Sequence, residues 1–347
     1  MVRPMISIEA LVRAGLYPAP QWFPQSMDPN REWVRMVLFK DEDYRKAPFL
    51  DERGIRDGMP QGIVPWTLLA ELTRQEHRSD AHWIFHISHV GSTLISRLIG
   101  EIDGTLCLRE PLILRSLFKG SKEEAIQRIP IIRRLLSRCF NPSDRAIVKA
   151  TSRVSELAAP LVGPAATGGN ALFISINPRD FIVSRLSRDK DELAERAPER
   201  LSRLKQRLPG LDPTQATSSK ARLAAMTWAC EASSIENAMD RIDPERRMFL
   251  NFANFLQDPR SGLADLARHF GLSADQDRID VIIGGPLMRR NSKDNAQVVM
   301  TAERKRAEDK TSVREKEAID DALAWLDRQR GLSELIDRAC ARFELAT

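Results

Sequence analysis

The stretch HWIFHISHVGSTLISRLIGEI, residues 82–102, decides how the chain folds. It opens as an apolar run of strand length, makes a turn at Gly91-Ser92-Thr93, and continues with apolar residues at helical spacing. A turn between a parallel strand and a helix gathers backbone N–H groups without intrahelical partners at the positive end of the helix dipole. Such a turn holds an anion without a dedicated side chain; Gly91 permits close approach, and Ser92 and Thr93 add hydroxyl donors. The lysine of a nucleoside-triphosphate loop is missing, since Ser92 stands in its place and no glycine opens the loop.

Working outward, short apolar runs recur at 105–110 (TLCLRE), 146–151 (AIVKAT), 171–177 (ALFISIN) and 247–252 (RMFLNF), each followed by helical periodicity. This alternation predicts βαβ units: an α/β fold with a doubly wound, roughly five-stranded parallel sheet covered on both faces. The connection from 179 to 246 reads as two or more helices broken near LPGLDPTQATSS. Residues 1–80, dense in proline and showing only short helical patterns such as PWTLLAELTRQ, are expected to form a cap wrapped on the domain of residues 81–347. The C-terminal patterns EAIDDALAWLDRQRG and LSELIDRACARFELA predict helices, and no internal repeat is visible.

Composition narrows the function classes. The 347 residues are 42% hydrophobic and 29% charged, ordinary usage for a globular chain. A net charge of +5 is dispersed among acidic residues, which argues little for nucleic acid and suits a modest anionic ligand. Cys107, Cys139, Cys230 and Cys340 lie far apart with no CxxC pair, so reduced thiols are expected rather than a zinc ribbon or disulfide framework. No run approaches the roughly 20 apolar residues of a membrane span. The N-terminus shows no apolar signal core with a cleavage site, so a cytoplasmic location is expected.

HISHVGSTLISRLI resembles the 5′-phosphosulfate loop of sulfotransferases, Pro-Lys/Arg-Ser-Gly-Ser/Thr-Thr followed by Leu or Trp. Ser88, His89, Val90, Gly91, Ser92 and Thr93 occupy its six positions, with His89 where the family has a basic residue. LREP, with Glu110 21 residues after His89, is similar to the strand end carrying the catalytic base in tyrosylprotein and related bacterial sulfotransferases. IVKAT resembles the next strand, whose lysine near the transferring sulfonate is here Lys149. FISINPRDFIVSRL resembles the 3′-phosphate segment Arg-Asp/Asn-Pro-x-x-x-x-x-Ser; Ser184 is the serine, but Ile176 occupies the arginine position. FLNFANFLQDPRSGLADLARHFGLS, 249–273, is similar to the late strand and helix, and RRNSKDN to the loop closing over the nucleotide, with Ser292 matched and Lys293 beside it. The stretch DEDYRKAPFLDERGI, 41–55, looks like that of poorly characterised bacterial sulfotransferase-like proteins.

This resemblance implies sulfonate transfer from 3′-phosphoadenosine-5′-phosphosulfate (PAPS) to a hydroxyl or amine. Glu110 would take the acceptor's proton, and Lys149, His89 and the turn amides would hold the transferring and leaving groups. Arg179, Ser184, Ser292 and Lys293 would bind the nucleotide, and no metal is required. Other readings stay open at this level. Glu110 could pair with Arg109 or Arg115, Lys149 could be a surface lysine, His89 a capping or packed histidine, and His86 a buried hydrogen-bonded one. A kinase using Mg²⁺ would need an acidic ligand at a strand end, for which Asp180 and Glu110 are the candidates. A silent binding protein is suggested by Ile176 and His89. The acceptor and the oligomeric state have no motif.

Overall fold

The computed structural model describes residues 6–13, 15, 20–28, 30–74, 78–187, 192–288 and 301–344. Before the opening stretch, β1 (Trp22–Asp28), β2 (Trp33–Leu38) and β3 (Gln61–Pro65) pair in that order as an antiparallel sheet. The expectation of only short helices there missed this sheet because of its prolines. Pro24 lies inside β1, which is an edge strand, beside a register shift between Pro24 and Ser26, where a missing N–H costs no ladder bond. Pro65 closes β3.

The main sheet has the expected five strands: β4 (His82–His86), β5 (Thr105–Arg109), β6 (Arg145–Lys149), β7 (Ala171–Ser175) and β8 (Arg247–Asn251). All its pairings are parallel and its spatial order is β5-β6-β4-β7-β8. The chain moves to one side of β4 for β5 and β6, then to the other for β7 and β8. The turn leaving β4 therefore sits at the switch in winding direction, where open α/β sheets leave a crevice beyond their carboxyl ends. β4, β5, β6 and β7 are largely buried on both faces, which explains why they read as continuous apolar runs rather than alternating ones, while edge strand β8 is mostly half-buried.

Helices complete the layers. Ser92–Gly100 follows β4, Lys122–Leu136 precedes β6, and Pro178–Leu186, Glu192–Arg207 and Lys220–Met239 fill the long connection before β8. Thr301–Arg314, Lys316–Arg330 and Glu334–Glu344 end the described chain. Both sheets contribute to one buried apolar cluster. The N-terminal segment is also stitched to edge strand β5: Leu50 N–H donates to Arg109 O at 2.6 Å, and the Arg109 side chain donates to the carbonyls of Ala47, Tyr44 and Arg45. An otherwise open strand edge is thereby covered.

Behind β6 lies a buried charge network that the sequence reading did not anticipate. Arg203 reaches Glu231 at 2.7 Å and Glu156 at 3.0 Å, Arg207 reaches Glu156 at 2.6 Å, and Ser234 donates to Glu156 at 2.7 Å. Burial pushes the Glu231 carboxyl up, but the Arg203 and Arg200 guanidiniums hold it below its ordinary value. The network clamps the short helix Ser152–Leu157, which begins three residues after Lys149, to Glu192–Arg207 and Lys220–Met239.

Candidate active site

Gly91 takes φ = 73° as the N-cap of Ser92–Gly100 and supplies no capping side chain, so the first amides of this helix are left for something else. Ser92 and Thr93 are buried, and among the described residues neither hydroxyl has a hydrogen-bond partner. Glycine is required twice over. Its φ lies in the left-handed region, and a Cβ there would stand 2.0 Å from Cζ of Phe252. Phe252, from the stretch after β8, is a wall of the turn that no single motif pointed to; it stacks on Phe255 at 6.2 Å between centroids. Val90 is buried beside it in the loop.

Glu110 and Lys149 leave β5 and β6 on the same rim. Arg109 and Lys149 are in register, and Glu110 N–H donates to Lys149 O at 2.7 Å. The Lys149 ammonium donates to Glu110 Oε1. The carboxylate's partner is thus neither Arg109 nor Arg115, and Lys149 is no surface lysine, since its side chain is 1% exposed against 18% for Glu110. Burial lowers the Lys149 pKa and the Glu110 carboxylate opposes this. Lys149 also lies 5.9 Å from the Phe49 ring centroid, over which Arg53 stacks at 3.8 Å. The segment 49–53 therefore overhangs the pair.

Among the described residues, three that are not glycine have left-handed backbones: Glu32 in the β1–β2 turn, His89 (φ = 65°) and Glu110 (φ = 54°). The last two belong to the rim. Glu110 also precedes Pro111, a position at which sterics favour extended backbone. Left-handed backbone costs an L-residue roughly 1–2 kcal/mol, and strain of this kind concentrates where a side chain must be aimed.

His86 supports this rim from within β4. Its Nδ1 and Nε2 lie 2.8 Å from the carbonyls of Ile87 and Ala150. Burial, and then the Lys149 cation, pushes its pKa down to about 4, so at neutral pH the ring has one N–H for the two carbonyls. Burial pushes His82 down to about 4 as well. In the unfolded chain both rings protonate below about 6.5, whereas the folded chain takes those protons only near pH 4. Stability is therefore lost as pH falls from about 6.5 to about 4, with a ceiling of about 3 kcal/mol for fully buried His86. Urea unfolding across this range should show the loss, and His86→Gln should show a shallower one. Equal slopes for the two proteins would contradict this account.

The remaining expected residues are less tightly grouped. Ser184 is buried on Pro178–Leu186, the helix that follows β7. Arg179, on the first turn of that helix, donates to Asp320 at 2.6 Å and is half-exposed, so its guanidinium is engaged by the C-terminal helices. Ile176 is buried, and its carbonyl accepts from Trp228 Nε1 at 2.9 Å. Asp180 is tied to the start of its own helix, where its N–H donates to Asn177 Oδ1 and its carboxylate accepts from Asn177 Nδ2. Ser292 and Lys293 lie outside the described residues. The four cysteines are free thiols, as expected, and no described helix is long and apolar enough to cross a membrane.

No family model matches the chain, and no curated protein matches it. Solved structures that it is similar to include sulfotransferases. The sulfotransferase domain from the curacin biosynthetic pathway aligns at 13% identity with a TM-score of 0.40, covering 78% of this chain and 99% of that one. Mouse sulfotransferase SULT7A1 complexed with PAP aligns at 16% identity with a TM-score of 0.41, covering 78% and 92%. Sulfotransferase STF9 from Mycobacterium avium aligns at 12% identity with a TM-score of 0.40, covering 71% and 77%. Superpositions this loose carry no weight for the site, whose reading rests on its own residues.

Proposed function

We propose that the chain transfers a sulfonate group from PAPS to a hydroxyl or amine acceptor. The observation that carries this reading is the meeting, on one rim, of an anion-ready turn without the nucleotide-loop lysine and a buried lysine paired to a carboxylate on strained backbone. By strand spacing, Glu110 at the end of β5 lies about 10 Å, two strand widths, from the turn after β4.

Bound at the turn, the donor would supply an activated sulfonate with a phosphate leaving group. The amides of Ser92 and Thr93 and their hydroxyls would hold its anionic end, assisted by His89. Lys149 would stabilise negative charge building on the leaving oxygen. Glu110, held in place by Lys149, would take the proton of the attacking hydroxyl or amine. Positioning and charge stabilisation then carry the rate, as in phosphoryl transfer.

The kinase alternative is weakened by the same residues. Its two candidate metal ligands, Asp180 and Glu110, are engaged by a helix start and by Lys149. Incubation with PAPS and a panel of hydroxyl and amine acceptors should release 3′-phosphoadenosine-5′-phosphate (PAP). Acceptor-dependent release of ADP from ATP and Mg²⁺, with none of PAP, would replace this reading by the kinase one.

A further inference from the structure

In the sheet, β6 lies between β4, which leads to the Gly91 turn, and β5, which leads to Glu110. The chain leaving β6 therefore borders both halves of the site. Three residues of this exit, Thr151, Arg153 and Ser155, hold a buried side-chain polar atom (Oγ1, Nε and Oγ) with no hydrogen-bond partner among the described residues. Thr151 stands at the N-cap of the short helix Ser152–Leu157 and makes no capping bond. Buried polar atoms are nearly always paired, so three so close together point to a partner from outside the chain, water or ligand. Charge decides which.

Arg153 stacks on the Phe118 ring at 4.3 Å, and its side chain is 40% exposed. Phe118 lies just past Leu112–Ser116, the helix that starts after Glu110, and Ser152–Leu157 packs on that helix. The stacked guanidinium thus stands on the Glu110 side of the exit. Its Cα, four residues after Lys149, is at most about 14 Å from that of Lys149. Among the described residues Arg153 makes no hydrogen bond, and its carboxylate neighbour Glu199, 3.4 Å away, is held more closely by Arg203 at 2.6 Å. In the network behind β6, the guanidiniums of Arg153, Arg200, Arg203 and Arg207 share the carboxylates of Glu156, Glu199 and Glu231. One cation is in excess, and Arg153 is the outermost and least bonded. Arg53, stacked on Phe49 in the same way, is by contrast gripped by both oxygens of Asp51.

We infer that Arg153 reads an anionic group, a carboxylate or a phosphate, on the acceptor whose hydroxyl or amine meets Glu110; this rests on the sulfonate-transfer reading and adds the acceptor's charge class. A guanidinium laid flat on a ring keeps its remaining N–H donors in one plane, which matches paired anionic oxygens and leaves little freedom to lose on binding. The anion and the reacting hydroxyl would then sit at opposite ends of the acceptor, one over Phe118 and one at the Glu110–Lys149 pair.

Calorimetry of the full chain, without donor and at fixed ionic strength, tests this with ω-hydroxy fatty acids of increasing length, the matching ω-hydroxyalkyl phosphates and the methyl esters of the acids. At the best length the acid or the phosphate should bind about ten- to a hundredfold more tightly than the ester, as for a charge-assisted bond, and the tighter of the two names the group. Arg153→Gln should erase that difference. With PAPS present, the same preference should appear in KM rather than kcat for PAP release. Equal affinity of acid, phosphate and ester for the wild-type protein overturns the inference, with no variant needed. So does a preference unchanged in folded Arg153→Gln. If the preference and its loss both stand while no acceptor releases PAP, the anion site holds and the sulfonate-transfer reading fails.

Discussion

Glu110→Gln is expected to lower turnover about 10²- to 10⁴-fold while donor binding stays near wild type, because the amide keeps the shape but cannot take a proton. The substitution also removes the charge that faces buried Lys149. Breaking a buried pair from one side typically costs about 3–5 kcal/mol, and the partial exposure of Glu110 places the cost below that range. A lowered Tm must therefore be separated from the lost chemistry. Measuring kcat and donor affinity on the same folded sample does so, since a purely structural lesion lowers both. A variant that turns over at the wild-type rate would remove Glu110 from the mechanism.

Gly91→Ala should do comparable damage at the other end of the site. The new Cβ would fall within 2.5 Å of three Phe252 ring atoms on a residue held at φ = 73°. Left-handed backbone costs an alanine roughly 1–2 kcal/mol, and forcing a packed ring aside adds about 1–3 kcal/mol. The turn would open and donor affinity would fall with it. Pairing the change with Phe252→Ala should recover the packing part and leave the backbone part, which a double-mutant cycle reads directly. Wild-type stability and nucleotide affinity in Gly91→Ala would show that the turn is not built as described.

The five parallel strands were legible because four of them are largely buried on both faces and all are apolar runs bounded by helical periodicity, a pattern carried by local composition. The antiparallel sheet of β1, β2 and β3 was hidden, since Pro24 and Pro65 mark a bulge and a strand end that only pairing reveals. In the site, Gly91, Glu110 and Lys149 could be placed at strand ends from the sequence. The Glu110–Lys149 pair could not, because it depends on which strands are neighbours: β5 and β6 adjoin, while β4 and β5, consecutive in sequence, do not. Phe252 was invisible for the same reason, as its contact with Gly91 joins residues far apart in the chain. Arg179 is the reverse case. Its position beside a motif suggested the nucleotide, and its side chain goes to Asp320.

The donor's 3′-phosphate puts the sulfotransferase reading at most risk. Ile176 stands where the resemblance expects arginine, and it is packed in the core with its carbonyl bonded to Trp228. A charge-assisted bond of that kind contributes roughly 1.5–3 kcal/mol, about ten- to a hundredfold in affinity. Compensation must come from another cation; Arg179, three residues on, is engaged by Asp320, and Arg185 lies buried next to Ser184 on the same helix. Calorimetry of the full chain with PAP against ADP measures this directly. The account predicts that PAP binds more tightly than ADP; equal or tighter binding of ADP would contradict it.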